Sequence, residues 1–325
     1  QHFKWPSLEQ FKNPISEFIP VARISDMLLQ PGKVFSYNGK EIKYPDIKLV
    51  YWAGGNPFHH QMNLKKLVKA FKQPDTIIVN EIWWNSLARH SDIILPATTS
   101  LERNDISIKH WDQTISPMYK AIEPIGESKS DYEIFSEISS KLNFKDKFTE
   151  GKDEDKWLKF IWEEAKDKAK EEGFTLPEFD KFWKNGFQEV LSPKKQTILL
   201  EKFRIDPEKN PISTPSGKIE IFSETVDSFN YEDCPGHPAW LEQKEWLGSN
   251  LTKQYPLQLI SGQPHNRLHS QLDNGSESQN YKILGREPIK IHPQDAQTRR
   301  LVNGDIVEVF NKRGKCLAGV IISNE

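Results

Sequence analysis

Short apolar runs alternate with helical patterns in the first third of the chain. Runs at 47–51, 76–79 and 93–95 predict three strands, because each is short and rich in Ile, Leu or Val. Between them, apolar positions 64, 67, 68 and 71 share one face of a helix, and residues 83–90 predict a second short helix. Strands that alternate with helices predict βαβ units and a parallel sheet. The strand ends then share one edge, where such sheets bind ligands.

The middle of the chain is highly charged and is predicted to be mainly helical from Asp131 to Gly186. One amphipathic helix there has an apolar face formed by Trp157, Leu158, Ile161, Ala165 and Ala169. We interpret the charged positions around it as a solvated surface, since acidic and basic residues nearly balance. Further along, a turn at 214–217 precedes a short apolar run at 218–222, which predicts a strand.

The last seventy or so residues have the pattern of short strands separated by turns. Strands are predicted at 257–260, 289–291, 306–310 and 316–322, with a hairpin turn at 311–314. Several short strands with glycine turns predict a small β-barrel. The whole chain is therefore predicted to be α/β: a parallel-sheet domain, a mainly helical α/β segment, and a C-terminal barrel.

Composition and charge narrow the possible functions. The chain has 325 residues, and its 44 Lys and Arg against 46 Asp and Glu leave a net charge of −2, which does not favour a polyanion partner such as nucleic acid. No apolar run approaches the roughly 18 residues of a membrane span. The two cysteines, Cys234 and Cys316, cannot hold an iron–sulfur cluster or build a disulfide framework. The chain begins at Gln1 and ends just after a strand-like run, so we expect a piece of a longer protein.

Two groups of residues could carry chemistry on the first predicted sheet. Gly54 and Gly55 follow the first strand and could let the backbone approach a phosphate or a ring, although glycines there often form only a turn. The dinucleotide fingerprint GxGxxG and the P-loop are both absent, which disfavours simple NAD or ATP binding. Arg103 follows the third strand and could clamp a phosphate or a guanine, or lie in a surface turn. The pair Trp83-Trp84 could stack on a base, but interior packing is the commoner use.

Histidines and other donors are concentrated in two further segments. His59 and His60 follow the first strand, and His265 and His269 stand four residues apart in the donor-rich segment 261–271. Zinc is disfavoured, because Pro264 and its polar neighbours predict a loop and no HExxH motif is present. The alternative is that these residues donate hydrogen bonds to an anionic or heterocyclic ligand.

Taken together, these features resemble the molybdopterin oxidoreductases of the dimethyl sulfoxide reductase family. The matching segments are 51–60, 91–106, 213–220, 261–273 and 286–289. The resemblance is to the branch of trimethylamine N-oxide, dimethyl sulfoxide and biotin sulfoxide reductases. It implies a molybdenum held by two molybdopterin guanine dinucleotides, the bis(molybdopterin guanine dinucleotide) cofactor. It also implies transfer of an oxygen atom from an S-oxide or N-oxide to Mo(IV), in anaerobic respiratory electron transfer. Residues 1–115 would be part of the α/β dinucleotide-binding domain, 116–254 the helical segment, and 255–325 a truncated dinucleotide-binding barrel.

The resemblance also assigns cofactor-binding residues. Those expected to hold one dinucleotide are Gly55, Asn56, His59, Asn80, Glu81 and Arg103. Asp131 matches an aspartate that pairs with a guanine. The residues that match the barrel loop gripping the pterins are Ser261, Gln263, His265, Arg267, His269, Ser270 and Gln271. Gln61 and Met62 depart from the pattern, which puts that end of the pocket in doubt.

Part of the family pattern is missing from these residues. The N-terminal portion, with the serine that ligates molybdenum in this branch, has no counterpart, and neither have the final barrel strands. We therefore predict no metal ligand within the chain and assign no catalytic residue. The expected partners are a small S-oxide or N-oxide and an electron donor such as a cytochrome, in the periplasm or alternatively the cytoplasm. A non-catalytic module for a nucleotide-like ligand, and a relative of formate dehydrogenase or nitrate reductase, are the alternatives.

Overall fold

The computed structural model describes residues 5–8, 10, 12–15, 18–108, 114–190, 198–269 and 271–324. These residues form two units, one made of Gln1–Gly55 and Met62–Pro238, the other of Asn56–Gln61 and Ala239–Glu325. The prediction for Ser270 lies outside the described residues. Within the described part of the chain, no helix combines the length and apolar character that crossing a bilayer requires.

The helices are mostly short. The α-helices are α1 (Ile24–Leu29), α2 (Pro57–His60), α3 (Leu64–Ala70), α4 (Asp131–Lys141), α5 (Lys145–Thr149), α6 (Glu154–Glu171), α7 (Phe179–Asn185), α8 (Glu201–Ile205), α9 (Glu224–Asp227), α10 (Ser276–Tyr281) and α11 (Pro293–Thr298). Single 3₁₀ turns span Val21–Arg23, Ala88–His90 and Asn250–Lys253.

The strands are short as well and belong to four small sheets. They are β1 (Val34–Tyr37), β2 (Lys40–Lys43), β3 (Leu49–Ala53), β4 (Thr76–Glu81), β5 (Ile93–Pro96), β6 (Asp105–Ser107), β7 (Thr114–Met118), β8 (Gln188–Glu189), β9 (Pro288–Ile291), β10 (Ile306–Asn311) and β11 (Gly314–Ile322).

The first unit contains the predicted parallel sheet. Strands β3, β4 and β5 are neighbours in that order, and both pairs are parallel. The central strand β4 buries Ile77 and Val79, and α3 buries Leu67 and Ala70, as expected for a sheet covered by its crossover helix. The prediction of βαβ units is confirmed, and the carboxyl ends of the three strands share one edge.

The predicted helical segment has its own apolar core in the same unit. Helix α6 buries Leu158, Trp162, Ala165 and Ala169, so its predicted apolar face is largely confirmed. The ring of Trp162 stacks on that of Phe182 in α7 with 3.8 Å between centroids. This core fixes α6 and α7 against β7 and β8, since Ile115 and Val190 belong to the same cluster.

Some predicted elements of the first unit are not formed. Residues 218–222 adopt no strand, and within 83–90 only the 3₁₀ turn at 88–90 is helical. The side chain of Glu81 accepts hydrogen bonds from the backbone amides of Ile82 and Trp83, at 2.9 and 3.3 Å. A carboxylate that holds these amides stabilises a turn at the start of this stretch.

The second unit contains the C-terminal strands. Strands β10 and β11 form an antiparallel hairpin, and β11 pairs with β9 in parallel. These predictions of strands and hairpin are confirmed. The described residues form a three-stranded sheet and no closed barrel. Residues 257–260 adopt no strand, and Ile260 is 87% exposed, because no described strand lies beside them to complete a hydrogen-bond ladder.

Candidate functional site

In the first unit, the buried Asn80 near the end of β4 forms side-chain hydrogen bonds with both Asp131 and Tyr51. Asn80 is buried, and its side-chain Nδ2 donates a hydrogen bond of 2.8 Å to Oδ1 of Asp131. Its Oδ1 accepts a hydrogen bond of 2.8 Å from the hydroxyl of Tyr51 in β3. Asn80 and Asp131, both predicted as cofactor contacts, are therefore in direct contact. Tyr51, which was not predicted to belong to the site, extends this series of hydrogen bonds.

The start of α4 places Asp131 at the surface. Ser130 and Glu133 form a reciprocal capping box, in which each side chain accepts a hydrogen bond from the backbone of the other. Asp131, the first residue of the helix, is exposed, and among the described residues no donor reaches its second carboxylate oxygen. Because the residue is exposed, that oxygen can accept hydrogen bonds from a ligand.

Glu81 and Arg103 both use their charged groups within the protein. The Glu81 carboxylate accepts a hydrogen bond of 2.7 Å from Asn85 in addition to the two backbone amides described above. Arg103 forms an ion pair with Asp105. Trp83 and Trp84, which follow Glu81, are exposed by 58% and 60%, so they do not pack in the interior of the described chain.

Glu102 is a buried carboxylate that the sequence analysis did not assign to the site. It accepts hydrogen bonds from the backbone amides of Thr99 and Ile125, at 2.7 and 2.8 Å, and from the Thr99 hydroxyl. The backbone amides of Thr99 and Ile125, followed by that hydroxyl, hold the pKa of Glu102 below its ordinary value. Glu102 therefore fixes the loop that carries Arg103.

The two glycines after β3 adopt backbone conformations that favour glycine. Gly54 and Gly55 have φ of +80° and +76°, in the left-handed region. No described atom lies within 4 Å of the position that a Cβ would take at either residue. The indole Nε1 of Trp52 donates a hydrogen bond of 2.8 Å to the carbonyl of Gly54. The loop is thus held in place while its backbone stays open on the outer side.

In the second unit, three histidine rings lie close together. The ring centroid of His269 is 5.4 Å from that of His59 and 4.8 Å from that of His60. Burial, followed by the positive charge of Arg267, lowers the pKa of His59 below its ordinary value. Asn56 caps the start of α2, which carries His59 and His60, by accepting a hydrogen bond of 3.0 Å from the Phe58 amide.

Arg267 organises the donor-rich segment of the second unit. Its guanidinium donates a hydrogen bond of 2.7 Å to the carbonyl of His269 and lies 3.3 Å from a Glu287 carboxylate oxygen. Gln263 donates to the carbonyl of Arg267 at 3.1 Å. The Nε atom of Arg267 is buried and donates no hydrogen bond to any described residue, although Asp273 lies 3.7 Å away.

The remaining predicted residues of this segment lie at the surface. Ser261, His265 and Gln271 are exposed, and the backbone of Gln271 forms two hydrogen bonds with that of Leu268. Among the described residues, no group of three or more His, Cys, Asp or Glu side chains is arranged to hold a metal ion. The structure thus brings together His59, His269 and Arg267 in one unit, and Asn80 and Asp131 in the other.

Comparison with known families accounts for both units. Residues 12–141 match the family model "Molybdopterin oxidoreductase", and residues 257–325 match "Molydopterin dinucleotide binding domain". The chain belongs to the molybdopterin oxidoreductase family. Within it, the chain is 47% identical over 309 residues to a trimethylamine-N-oxide reductase of Haemophilus influenzae, covering 94% of this chain and 37% of that protein.

Two other relatives and one solved structure agree with this assignment. The chain is 44% identical to a biotin sulfoxide reductase of Cereibacter sphaeroides, covering 97% of this chain and 42% of that protein. It is 44% identical to a dimethyl sulfoxide/trimethylamine N-oxide reductase of Rhodobacter capsulatus, covering 94% and 37%. Acetylene hydratase from Pelobacter acetylenicus shares the fold, with a TM-score of 0.62 and 18% identity over 86% of this chain and 36% of that one. The chain spans about two fifths of the length of these relatives.

The residues present fit a bulky anionic cofactor. Such a group needs backbone that it can approach closely, and Gly54 and Gly55 offer positive φ and open space. It needs donors that the protein has not already used, and Arg267 has one buried N–H without a hydrogen bond. A guanine needs a carboxylate acceptor, and Asp131 presents one at the surface. The family models imply the molybdenum-bound molybdopterin dinucleotide for which these features are suited.

Proposed function

We propose that this chain is the cofactor-binding part of a molybdenum-dependent reductase that removes an oxygen atom from an S-oxide or N-oxide. The observation that carries the proposal is the identity of 44–47% to three reductases of such oxides, over almost the whole chain. The substrate would be trimethylamine N-oxide, dimethyl sulfoxide or biotin sulfoxide, because these are the compounds named for the relatives.

In the first unit, we infer that the strand-end residues hold one dinucleotide. Gly55 would let the backbone approach the pyrophosphate, and Asp131 would accept hydrogen bonds from the guanine. Asn80 would act by fixing Asp131, since both polar ends of its amide already have protein partners. Glu81 and Arg103 would shape the neighbouring loops and, in the case of Arg103, supply positive charge near phosphate.

In the second unit, the segment from 261 to 271 would hold the pterins, and His59 would contribute to holding one dinucleotide. His59 and His269 would donate hydrogen bonds to polar groups of the cofactor, while Arg267 keeps the segment in shape. Asn56 would fix the turn that carries His59. The further residues assigned to this role are Ser261, Gln263, His265, Ser270 and Gln271. The domain limits 1–115, 116–254 and 255–325 remain part of this proposal.

The cofactor would supply two-electron oxygen-atom transfer, and the protein would supply binding, orientation and electrostatics. The residues of this chain would keep the dinucleotides in one orientation and exclude competing water. An electron donor such as a cytochrome would restore the reduced state, and we propose the periplasm as the location, with the cytoplasm as the alternative.

The experiment uses the complete protein, purified without oxygen. We expect one molybdenum per chain by elemental analysis, release of GMP on acid hydrolysis, and reduction of at least one of the three oxides with reduced viologen as donor. Flavin or NAD without molybdenum would contradict the proposal. Cofactor without turnover of any oxide would reject the reductase activity while retaining cofactor binding.

A further inference from the structure

Tyr51 has an unusual position relative to the predicted guanine contact. Its hydroxyl donates to Oδ1 of Asn80 at 2.8 Å, and Nδ2 of the same amide donates to Oδ1 of Asp131 at 2.8 Å. The Asp131 carboxylate only accepts hydrogen bonds and therefore faces the NH2 end of the amide, while the Tyr51 hydroxyl donates to the oxygen at the other end. Tyr51 therefore anchors the far end of the amide that holds Asp131.

The ring of Tyr51 restrains the same helix from a second side. Its centroid lies 5.4 Å from that of Phe135, one turn after Asp131 in α4. The Ser130 capping box fixes the first turn of this helix from within. Asn80 is 4% exposed while Asp131 is exposed, so a buried amide supports a surface carboxylate. This arrangement limits the directions in which the second carboxylate oxygen can point.

We propose that Tyr51 is a positioning residue that sets the selectivity of Asp131 for guanine over purines that lack the 2-amino group. The inference rests on the proposed function, in which Asp131 binds the guanine of the cofactor. Guanine presents two adjacent donors, N1–H and the 2-amino group, and a carboxylate accepts both only when its plane is aligned with that edge. Hypoxanthine presents only N1–H, so its binding depends less on that alignment.

The expected loss of selectivity follows from how the Asn80 side-chain amide responds when the Tyr51 hydroxyl is removed. When the hydroxyl is removed, the Asn80 oxygen loses its donor, and burying it without a partner carries a penalty. The amide can then shift so that its oxygen reaches another donor or water, and its Nδ2 pulls the hydrogen-bonded carboxylate of Asp131 with it. The carboxylate moves out of alignment, and the second hydrogen bond to guanine is the one that is lost.

The test compares two nucleotides on the complete apoprotein. Titration calorimetry measures the affinities of GDP and IDP for the wild type, Tyr51→Phe and Asp131→Asn. We expect the wild type to bind GDP more tightly than IDP. Tyr51→Phe should reduce the ratio of the two affinities by roughly five- to tenfold, which is the effect of about one net hydrogen bond. Asp131→Asn should remove the preference. In the holoenzyme, Tyr51→Phe should also release less GMP per chain on acid hydrolysis.

A matched control separates positioning from general loosening of the fold. Tyr132 follows Asp131 in α4, and its hydroxyl donates a hydrogen bond to the carbonyl of Lys152 and accepts one from the indole Nε1 of Trp157. Tyr132→Phe should lower the affinities for GDP and IDP by the same factor, or not at all.

The possible results lead to distinct conclusions. An equal loss of both affinities in Tyr51→Phe, or an unchanged ratio, would overturn the role of Tyr51 even if the wild type prefers GDP. A wild type that binds neither nucleotide, and whose holoenzyme releases no GMP, would overturn the cofactor assignment itself and the role of Tyr51 with it.

Discussion

The guanidinium of Arg267 donates a hydrogen bond of 2.7 Å to the backbone carbonyl of His269, only two residues further along the chain. His269 itself has a φ of +53°, a left-handed conformation that few residues other than glycine adopt. The contact helps to hold this conformation, in which the His269 ring lies against His60 at 4.8 Å. A side chain that the resemblance assigns to gripping the pterins thus also has a structural role in the segment itself.

We therefore predict that replacing Arg267 with Met loosens the segment around it. The Arg267 side chain is 14% exposed, and Glu287 and Asp273 lose a charged partner in the variant. We expect the stability of the second unit to fall by about 1–3 kcal/mol, and hydrogen exchange of the amides at 265–271 to become faster. Urea unfolding and exchange measured by mass spectrometry test this. Arg286→Met, at an exposed position, is the control and should change neither quantity.

The part of the fold that could be predicted from sequence is the part with strong local patterns. The runs at 76–79 and 93–95 pair as neighbouring parallel strands because each is apolar and bounded by turn residues. Residues 257–260 have the same kind of run, yet form no strand, because a strand also needs a partner beside it. Local pattern alone cannot supply that information.

The hairpin of β1 and β2 is, by contrast, an element that the structure contains and the sequence pattern did not predict. Asn38 and Gly39 have φ of +49° and +70° and form the two-residue loop that this dipeptide favours. The second strand, Lys40–Lys43, is too polar to stand out by hydropathy, and the first has only four residues. In the same way, Tyr51 shows no sequence signal for its role, because its contact with Asn80 exists only when two strands lie side by side.

The lowered pKa of His59 predicts a pH dependence of stability. Burial, and then the charge of Arg267, keep His59 neutral in the folded state below its ordinary pKa of about 6.5. The unfolded chain therefore binds more protons there, so the free energy of unfolding falls as the pH drops below about 6.5. His59→Asn should reduce this pH dependence in urea unfolding between about pH 5 and 7. His265→Asn, at an exposed position, serves as control, and an unchanged slope in His59→Asn would contradict the prediction.

The buried carboxylate of Glu102 predicts a pH effect of the same sign as that of His59, but at lower pH. Amides of Thr99 and Ile125 lower its pKa, so it stabilises the fold above its ordinary pKa of about 4.5, and this is lost as the pH falls through the lowered value. Glu102→Gln should lower the urea midpoint at pH 7, and the difference from the wild type should narrow in acid. Glu123→Gln, whose side chain is 82% exposed, should behave as the wild type at both pH values. A Glu102→Gln deficit that persists unchanged in strong acid would count against the role of the charge.

The open glycine loop allows a sharper test of cofactor binding. Gly55→Ala places a Cβ in the open space where the cofactor is proposed to approach, on a backbone with φ of +76°. The strain of an alanine in this conformation is about 1–2 kcal/mol. Gly173 has a φ of +85° and equally open surroundings, so Gly173→Ala carries the same strain at a position not assigned to the site. We expect both variants to lose similar stability in thermal unfolding, while only Gly55→Ala lowers the molybdenum content and the GMP released per chain. If the two variants retain equal amounts of cofactor, the loop after β3 does not contact it.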